Sequence, residues 1–166
     1  MKVFGVTGWK NSGKTGLVER LVQDLTARGY AVSTVKHAHH SFDLDQPGRD
    51  SYRHRAAGAQ EVVLGSYNRW AILHELRGEA EPTLDTLLAK MAPVDIVIVE
   101  GFKAEPIDKI ECFRAAPGHD VIYPNDSRVL AIASDTALPD ADRPVFDLSD
   151  TAAITDFVIE RSGLSR

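Results

Sequence analysis

The stretch VTGWKNSGKTG, residues Val6–Gly16, contains three glycines and two lysines within eleven residues. Its central part, Gly8–Thr15, matches the pattern G-x-x-x-x-G-K-[ST] at every fixed position. Glycines at the two fixed places allow backbone angles that a Cβ would forbid, and they let N–H groups face a ligand. An apolar run precedes the stretch and a helical pattern follows it, which is the context that this motif requires. The sequence therefore predicts a loop that binds polyphosphate.

Two side chains of this loop have an expected chemical role, and the role of a third side chain is undecided. Lys14 supplies a mobile positive charge to the terminal phosphates and is a candidate catalytic residue. Thr15 offers a hydroxyl to Mg²⁺, which binds few protein ligands and keeps several waters. Lys10 is a phosphate contact, a contact to a partner subunit, or a solvated loop charge. The predicted phosphate-binding residues are Gly8, Trp9, Lys10, Asn11, Ser12, Gly13, Lys14, Thr15 and Gly16.

Composition narrows the class of protein. The formal net charge of -5 argues against broad nucleic-acid binding, which usually shows a basic stripe. One cysteine, Cys112, excludes an internal disulfide. No segment approaches the roughly 20 apolar residues that span a bilayer, so we expect no membrane contact and a cytoplasmic protein. With 166 residues, the chain is expected to form a single nucleotide-binding domain over residues 1–166.

Apolar runs alternate with helical patterns along most of the chain. The strongest buried-strand signal is VDIVIV (Val94–Val99), and RVLAIAS (Arg128–Ser134) is similar. EVVLG and RWAILHEL indicate two further strands around Asn68, and Ser149 is a plausible N-cap of a closing helix. The alternation predicts an α/β fold with three layers, in which a mainly parallel sheet carries helices on both faces and a β-hairpin is added. This is the phosphate-binding-loop (P-loop) NTPase type.

Parallel sheets bind ligands at the carboxyl ends of their strands. The polar segments Gly8–Thr15, His37–Asp50 and Glu100–Lys103 each follow an apolar run, so we expect them at one edge. Glu100 is the predicted acidic partner of Thr15 at Mg²⁺. Aspartate is usual at this place, and the longer glutamate arm is expected to reach the metal through a water. The alternative is a solvated acid at a strand end.

The segment KHAHHSFDLD, starting at Lys36, has histidines at positions 37, 39 and 40 and aspartates at 43 and 45. No known zinc-ligand spacing is present. We rank a nucleotide or substrate loop first, a surface loop second and a transition-metal site third. In the first case Asp45 is the second candidate catalytic residue, because an acid here would orient Mg²⁺ or the attacking water.

Several segments together resemble the MobB family of molybdopterin-guanine dinucleotide biosynthesis adapter proteins. They cover nearly the whole chain. The second segment, which starts at Val35, and the fourth, which starts at Asp95, are more distinctive than a phosphate loop alone. In chain order they are GWKNSGKT, VKHAHHSFDLDQPGRDSYRHRAAGA, RWAILHE, DIVIVEGFK, KIECFR and VLAIASD.

The resemblance implies a P-loop fold that binds GTP with Mg²⁺, hydrolyses it weakly and forms homodimers. It implies the guanylyltransferase MobA as partner, and molybdopterin or its guanine dinucleotide as cargo. The motif positions Gly8, Gly13, Lys14, Thr15 and Glu100 carry over to this chain. Asp135, which ends VLAIASD, is placed to accept from guanine N1–H and N2–H₂, or it is a helix-capping or turn aspartate.

Three functions remain open at this point. The sequence shows a phosphate loop and one metal acid, but no clear base and no clear arginine finger, although Arg49, Arg53 and Arg55 are candidates. This favours a GTP-binding adapter with weak GTPase activity. The alternatives are a small-molecule kinase and a metallochaperone GTPase that uses the histidines. The segment RWAILHEL is either an exposed hairpin that pairs across subunits or a buried one, and Trp70 is of a type more often found in cores.

Overall fold

The computed structural model describes residues 1–38 and 43–165. Its helices are α1 (Lys14–Ala27), α2 (Asp50–Ala56), α3 (Leu84–Ala89) and α4 (Thr151–Ser162), with one turn of 3₁₀ helix at Tyr123–Asn125. Its strands are β1 (Lys2–Thr7), β2 (Val32–Lys36), β3 (Glu61–Gly65), β4 (Trp70–His74), β5 (Ile96–Glu100), β6 (Lys109–Phe113), β7 (Val129–Ser134) and β8 (Val145–Asp147).

The chain divides into two compact units. The first contains Met1–His37 and Leu87–Arg166, and the second contains Ala38–Thr86. The single domain expected over residues 1–166 stays a prediction.

A parallel sheet forms the centre of the first unit. Its strand order among the described residues is β2-β5-β1-β6-β7-β8, and every neighbouring pair runs parallel. Phe4 and Val6 of β1 are fully buried in one cluster with Leu17 and Leu21 of α1 and Ile154 of α4. The 3.6-residue spacing of the apolar side chains of α1 presents them to the sheet. The predicted mainly parallel sheet with helices is confirmed.

The other face of β6 carries buried charges. Lys109 and Glu111 alternate with the core residues Ile110 and Cys112, and they therefore point away from α1 and α4. Glu111 is fully buried and accepts hydrogen bonds from the backbone N–H groups of Ile122 (2.8 Å) and Tyr123 (2.9 Å). Burial raises the pKa of the Glu111 carboxyl. A 3₁₀ turn thus packs on this face of the sheet, held by a strand carboxylate.

The second unit contains the predicted hairpin. Strands β3 and β4 pair antiparallel, with Val63 opposite Ile72 and Gly65 opposite Trp70. Residues two apart on a strand share a face, so Val63, Ile72 and Trp70 form one apolar stripe. Their exposed fractions are 65%, 48% and 69%. Of the two alternatives left open by the sequence, the structure shows the exposed hairpin, and Trp70 does not take the buried position that is more common for tryptophan.

Two details differ from the sequence prediction. The N-cap of α4 is Asp150, whose carboxylate accepts from the backbone N–H of Ala153, whereas Ser149 donates to Asp147. The predicted Ser149 cap is wrong by one residue, because two capping-type side chains are adjacent and the downstream one reaches the third helical N–H. Strand β6 was not predicted as a strand.

Candidate phosphate site

The backbone between β1 and α1 forms an open loop. Gly8 has φ 142°, Asn11 has φ 65° and Gly13 has φ 97°, all in the region that disfavours a Cβ. The N–H of Ser12 donates to the carbonyl of Trp9 (3.3 Å) and closes the loop. Helix α1 starts at Lys14 with neither a capping side chain nor an acid in its first turn. Its first N–H groups consequently lack a side-chain acceptor, and they give this end a positive partial charge.

The loop is packed so closely that its glycines cannot be replaced freely. A Cβ at Gly8 would overlap the carbonyl oxygen of Cys112 and lie 2.5 Å from the hydroxyl of Ser12. The Ser12 hydroxyl is buried and has no hydrogen-bond partner among the described residues. A buried hydroxyl without a partner is costly and is typical of a site completed by a ligand.

Two lysines lie at the loop without a carboxylate partner. Lys14 Nζ donates to the carbonyls of Gly8 (3.0 Å) and Trp9 (2.6 Å). Lys103 Nζ lies 3.6 Å from the centre of the Trp9 ring. Burial lowers the pKa of Lys14, and burial together with the nearby Lys14 charge lowers the pKa of Lys103. Within residues 1–38 and 43–165 neither lysine forms an ion pair. Two ammonium groups that repel each other favour an anion between them.

The predicted metal residues do come together. Thr15 Oγ1 donates to Glu100 Oε1 at 2.9 Å, and Lys36 Nζ lies 3.2 Å from the same oxygen. Glu100 ends β5, is 8% exposed, and is followed by Gly101 with φ 93°. A Cβ at Gly101 would lie 3.1 Å from His37 Cβ, so His37 also belongs to this edge. A hydroxyl and a carboxylate are oxygen donors suited to Mg²⁺.

Other predicted loop residues take different places. The Trp9 indole donates to the carbonyl of Asp120 (2.8 Å), and its ring lies 5.6 Å from that of His119. This side chain fastens the loop to the segment after β6. Lys10 is exposed and forms no hydrogen bond or ion pair within the described part of the chain. Gly16 lies in the first turn of α1, where a Cβ would make only an ordinary contact to Arg20 (3.5 Å).

Asp135 lies directly after β7 and is exposed. Its Oδ1 accepts from the backbone N–H of Ala115 at 3.2 Å. The carboxylate thus links the ends of β7 and β6, and its second oxygen forms no hydrogen bond with any described residue.

Asp45 belongs to the second unit, where it takes part in a charged network. It accepts from Ser51 Oγ (2.9 Å) and from the N–H of Gln46 (2.9 Å), and it lies 3.4 Å from Arg55 Nε. Arg55 also pairs with Asp43 (2.9 Å) and Glu75 (2.7 Å). The catalytic role of Asp45 stays a prediction.

His39 and His40 of the possible metal cluster lie outside the described residues. The described part of the chain holds no cluster of three or more metal-ligating side chains.

One residue of the site was missed from the sequence. Arg114 follows β6, and its Nε lies 3.2 Å from the position that a Cβ would take on Gly13. The available signal was its place in KIECFR, a basic residue directly after a strand of the sheet. Without the strand assignment of β6 that signal was not visible.

Comparison with known proteins identifies the family. The family model "MobB: Molybdopterin guanine dinucleotide synthesis protein B" matches residues 3–135. The chain is 40% identical over 163 residues to the "Molybdopterin-guanine dinucleotide biosynthesis adapter protein" of Escherichia coli K12, covering 95% of this chain and 91% of the relative. This protein belongs to the MobB family. A Haemophilus influenzae relative of the same name is 38% identical over 94% of this chain and 86% of its own.

Solved structures of MobB proteins share the fold. The MobB homologue from Bacillus stearothermophilus superposes with a TM-score of 0.73 at 24% identity, covering 99% of this chain and 100% of its own. A second MobB crystal structure gives 0.75 at 24% identity, over 97% and 99% of the two chains. The predicted α/β fold, a mainly parallel sheet with helices and an added hairpin, is confirmed and is shared with these structures. Among the described residues, no helix has the length and apolar character needed to cross a membrane.

Proposed function

We propose that this protein binds GTP through the loop Gly8–Gly16. The observation that carries the proposal is a glycine-rich loop at an uncapped helix start, where two lysines with lowered pKa have no acid partner among the described residues. Backbone N–H groups, a helix N-terminus and two ammonium groups together match the several negative charges of a triphosphate. Lys14 is the residue expected to reach the terminal phosphates, and its catalytic contribution is the neutralisation of charge there.

Mg²⁺ is the metal that fits beside this loop. Thr15 and Glu100 would hold it, since their oxygens already face each other at 2.9 Å. When bound, the ion would neutralise charge on the phosphates. Lys36, which now pairs with the same Glu100 oxygen, would then have to share or yield that carboxylate.

We further propose that the protein acts as an adapter in the biosynthesis of molybdopterin guanine dinucleotide. The support is membership of the MobB family and the printed name of the Escherichia coli relative. The partner proposed is the guanylyltransferase MobA, with molybdopterin or its guanine dinucleotide as cargo. Slow hydrolysis of GTP is part of this proposal, because Glu100 is engaged by Thr15 and Lys36 rather than free to act as a base.

The adapter role is tested by multiple-turnover release of phosphate from GTP. The protein alone is expected to release phosphate slowly, and addition of molybdopterin and the guanylyltransferase is expected to raise the rate. Fast transfer to a small acceptor without a partner would instead identify a kinase. An unchanged rate, together with no co-purification of the two proteins, would contradict the adapter proposal.

Asp135 is proposed to select guanine. We expect Asp135→Ala to reduce the preference for GTP over ATP roughly tenfold or more, because two base N–H donors would lose a charged acceptor. Competition titrations with both nucleotides measure this. Asp140→Ala, a change of an exposed aspartate elsewhere in the same loop, is the matched control. Full retention of GTP preference in Asp135→Ala would assign the residue to its turn contact with Ala115 alone.

The apolar stripe of Val63, Trp70 and Ile72 is proposed to pair with a second copy of the chain, giving the homodimer. A two-stranded hairpin is marginal alone and leaves strand edges unpaired, so a further sheet stabilises it. Trp70→Ser is expected to shift the light-scattering mass toward the monomer at low concentration. Tyr67→Ser, which changes a fully exposed aromatic at the hairpin turn, should leave it unchanged. A Trp70→Ser mass equal to that of the original chain would exclude this stripe as the interface.

A further inference from the structure

Arg114 places its guanidinium over the start of α1. It directly follows β6, which is the neighbour of β1 on the side opposite β5. Its Nε and Nη2 lie 3.2 Å and 3.4 Å from the position that a Cβ would take on Gly13. Leu148 Cδ2 lies 3.2 Å from the same position, so the side chain lies beside Leu148. The absence of a side chain on Gly13 lets the guanidinium approach the helix start closely.

Arg114 has no charge partner within the part of the chain that the structure describes. The side chain is exposed and forms no hydrogen bond or ion pair with any residue in 1–38 or 43–165. Arg20 on the same helix, by contrast, donates to Thr151 Oγ1 (2.9 Å) and to the carbonyl of Leu148 (2.7 Å). An arginine cannot shed its proton to relieve the charge. Arg114 is therefore a permanent cation that has no partner among the described residues.

The location of this charge favours the binding of an anion. A helix N-terminus carries a positive partial charge, which attracts anions and repels cations. The first turn of α1 contains no acid, and its N-cap Gly13 offers no side-chain acceptor. The chain has 24 acidic residues against 19 basic ones, so acids were available for this place. Cations at an uncapped helix start, together with a buried Ser12 hydroxyl that has no partner among the described residues, favour binding of an external anion here.

The geometry points to Arg114 as a ligand of the α- or β-phosphate of the bound nucleotide. This assignment rests on the proposed function and extends it to a residue outside the loop. In a loop of this pattern the backbone N–H groups hold the α- and β-phosphates, and the lysine reaches toward the terminal ones. Arg114 lies beside Gly13, on the β6 side of the loop, whereas Thr15 faces Glu100 of β5. The guanidinium thus meets the inner phosphates, and Lys14 with the metal residues meets the outer end.

Asp135 contributes to holding this arginine in place. Its Oδ1 accepts from the N–H of Ala115, the residue after Arg114, at 3.2 Å. The end of β6 is thereby tied to the end of β7. The proposed guanine ligand and the proposed inner-phosphate ligand therefore follow adjacent strands at the same edge of the sheet.

The test compares GTP and GDP binding by calorimetry in the original chain and in three variants. Arg114→Gln keeps most of the stem that lies beside Leu148 and removes the charge. It is expected to weaken GTP and GDP about tenfold each, because both carry the inner phosphates. Arg114→Lys should recover part of the loss. Arg161→Ala, on the last turn of α4, is the matched control and should bind both nucleotides normally.

Three outcomes would overturn the assignment. Equal affinity in Arg114→Gln would make the guanidinium irrelevant to binding. A loss confined to GTP would place it at the terminal phosphate instead. Failure of the original chain to bind either nucleotide would overturn the proposed function as well, whereas normal binding by the original chain and by Arg114→Gln overturns the arginine assignment alone. A thermal melt of Arg114→Gln matching that of the original chain shows that any loss is one of binding.

Discussion

Replacement of Lys14 by alanine is expected to weaken GTP binding about 100-fold, because one charged hydrogen-bonding group is lost where the phosphates would lie. Without a ligand the ammonium is held by the carbonyls of Gly8 and Trp9, and burial lowers its pKa. These carbonyl oxygens carry only partial negative charge, whereas a bound triphosphate would offer full negative charges to the ammonium group. Calorimetric titration with GTP in the presence of Mg²⁺ measures the effect.

Two controls make the Lys14→Ala result specific. Lys90→Ala removes one positive charge from an exposed position just after α3 and should leave the affinity unchanged. The melting temperature of Lys14→Ala should not fall, since relief of a desolvated charge does not destabilise the fold. GTP bound as tightly by Lys14→Ala as by the original chain would refute the proposed site.

Replacement of Gly8 by alanine is expected to lower the free energy of unfolding by about 3 kcal/mol and to abolish nucleotide binding. Two costs add, about 1 kcal/mol for the backbone angle and about 2 kcal/mol for the clash. The φ of 142° disfavours any side chain, and the new methyl group would overlap the Cys112 carbonyl. Urea unfolding at equilibrium gives the stability change.

Gly58→Ala separates the two contributions. Gly58 has φ 114°, yet a Cβ there meets nothing within 4 Å. Its replacement should cost about 1 kcal/mol, from backbone conformation alone. The difference between the two losses of unfolding free energy then measures the cost of the clash with the Cys112 carbonyl. Equal losses in both would show that the loop adjusts to the methyl group at no cost.

The loop and its flanking elements were predictable because their signals are local. An apolar run, a spaced pair of glycines and a helical stripe ending at Gly29 lie within the first 30 residues. Gly29 indeed has φ 84°, as a helix C-terminus of this kind requires. The pairing of Thr15 with Glu100 followed from the rule that the carboxyl ends of parallel strands share an edge.

The features that were missed depend on tertiary partners. Strand β6 alternates core residues with Lys109 and Glu111, which do not read as buried positions. Both are buried because they have specific acceptors and donors: Lys109 Nζ bonds to the carbonyl of Glu105 (2.7 Å) and to Asp126 (3.1 Å). Because β6 is not recognised as a strand from the sequence, the position of Arg114 at the edge of the sheet cannot be predicted either. The exposure of Trp70 is likewise invisible from composition, since apolar stripes serve cores and interfaces alike.

The order of strands in the sheet has a consequence for how the protein is made. Strand β1 leaves the ribosome before the other strands of the sheet, but its two neighbours are β5 and β6, about 90 to 110 residues later in the chain. Contacts between such distant segments form late, after a large loop has closed. Until β5 has emerged at residue 100, Phe4 and Val6 have no strand to pair with, and until β6 has emerged the Cys112 carbonyl is not yet beneath Gly8. During most of translation, the loop Gly8–Gly16 of the nascent polypeptide therefore lacks the strands that pack around it.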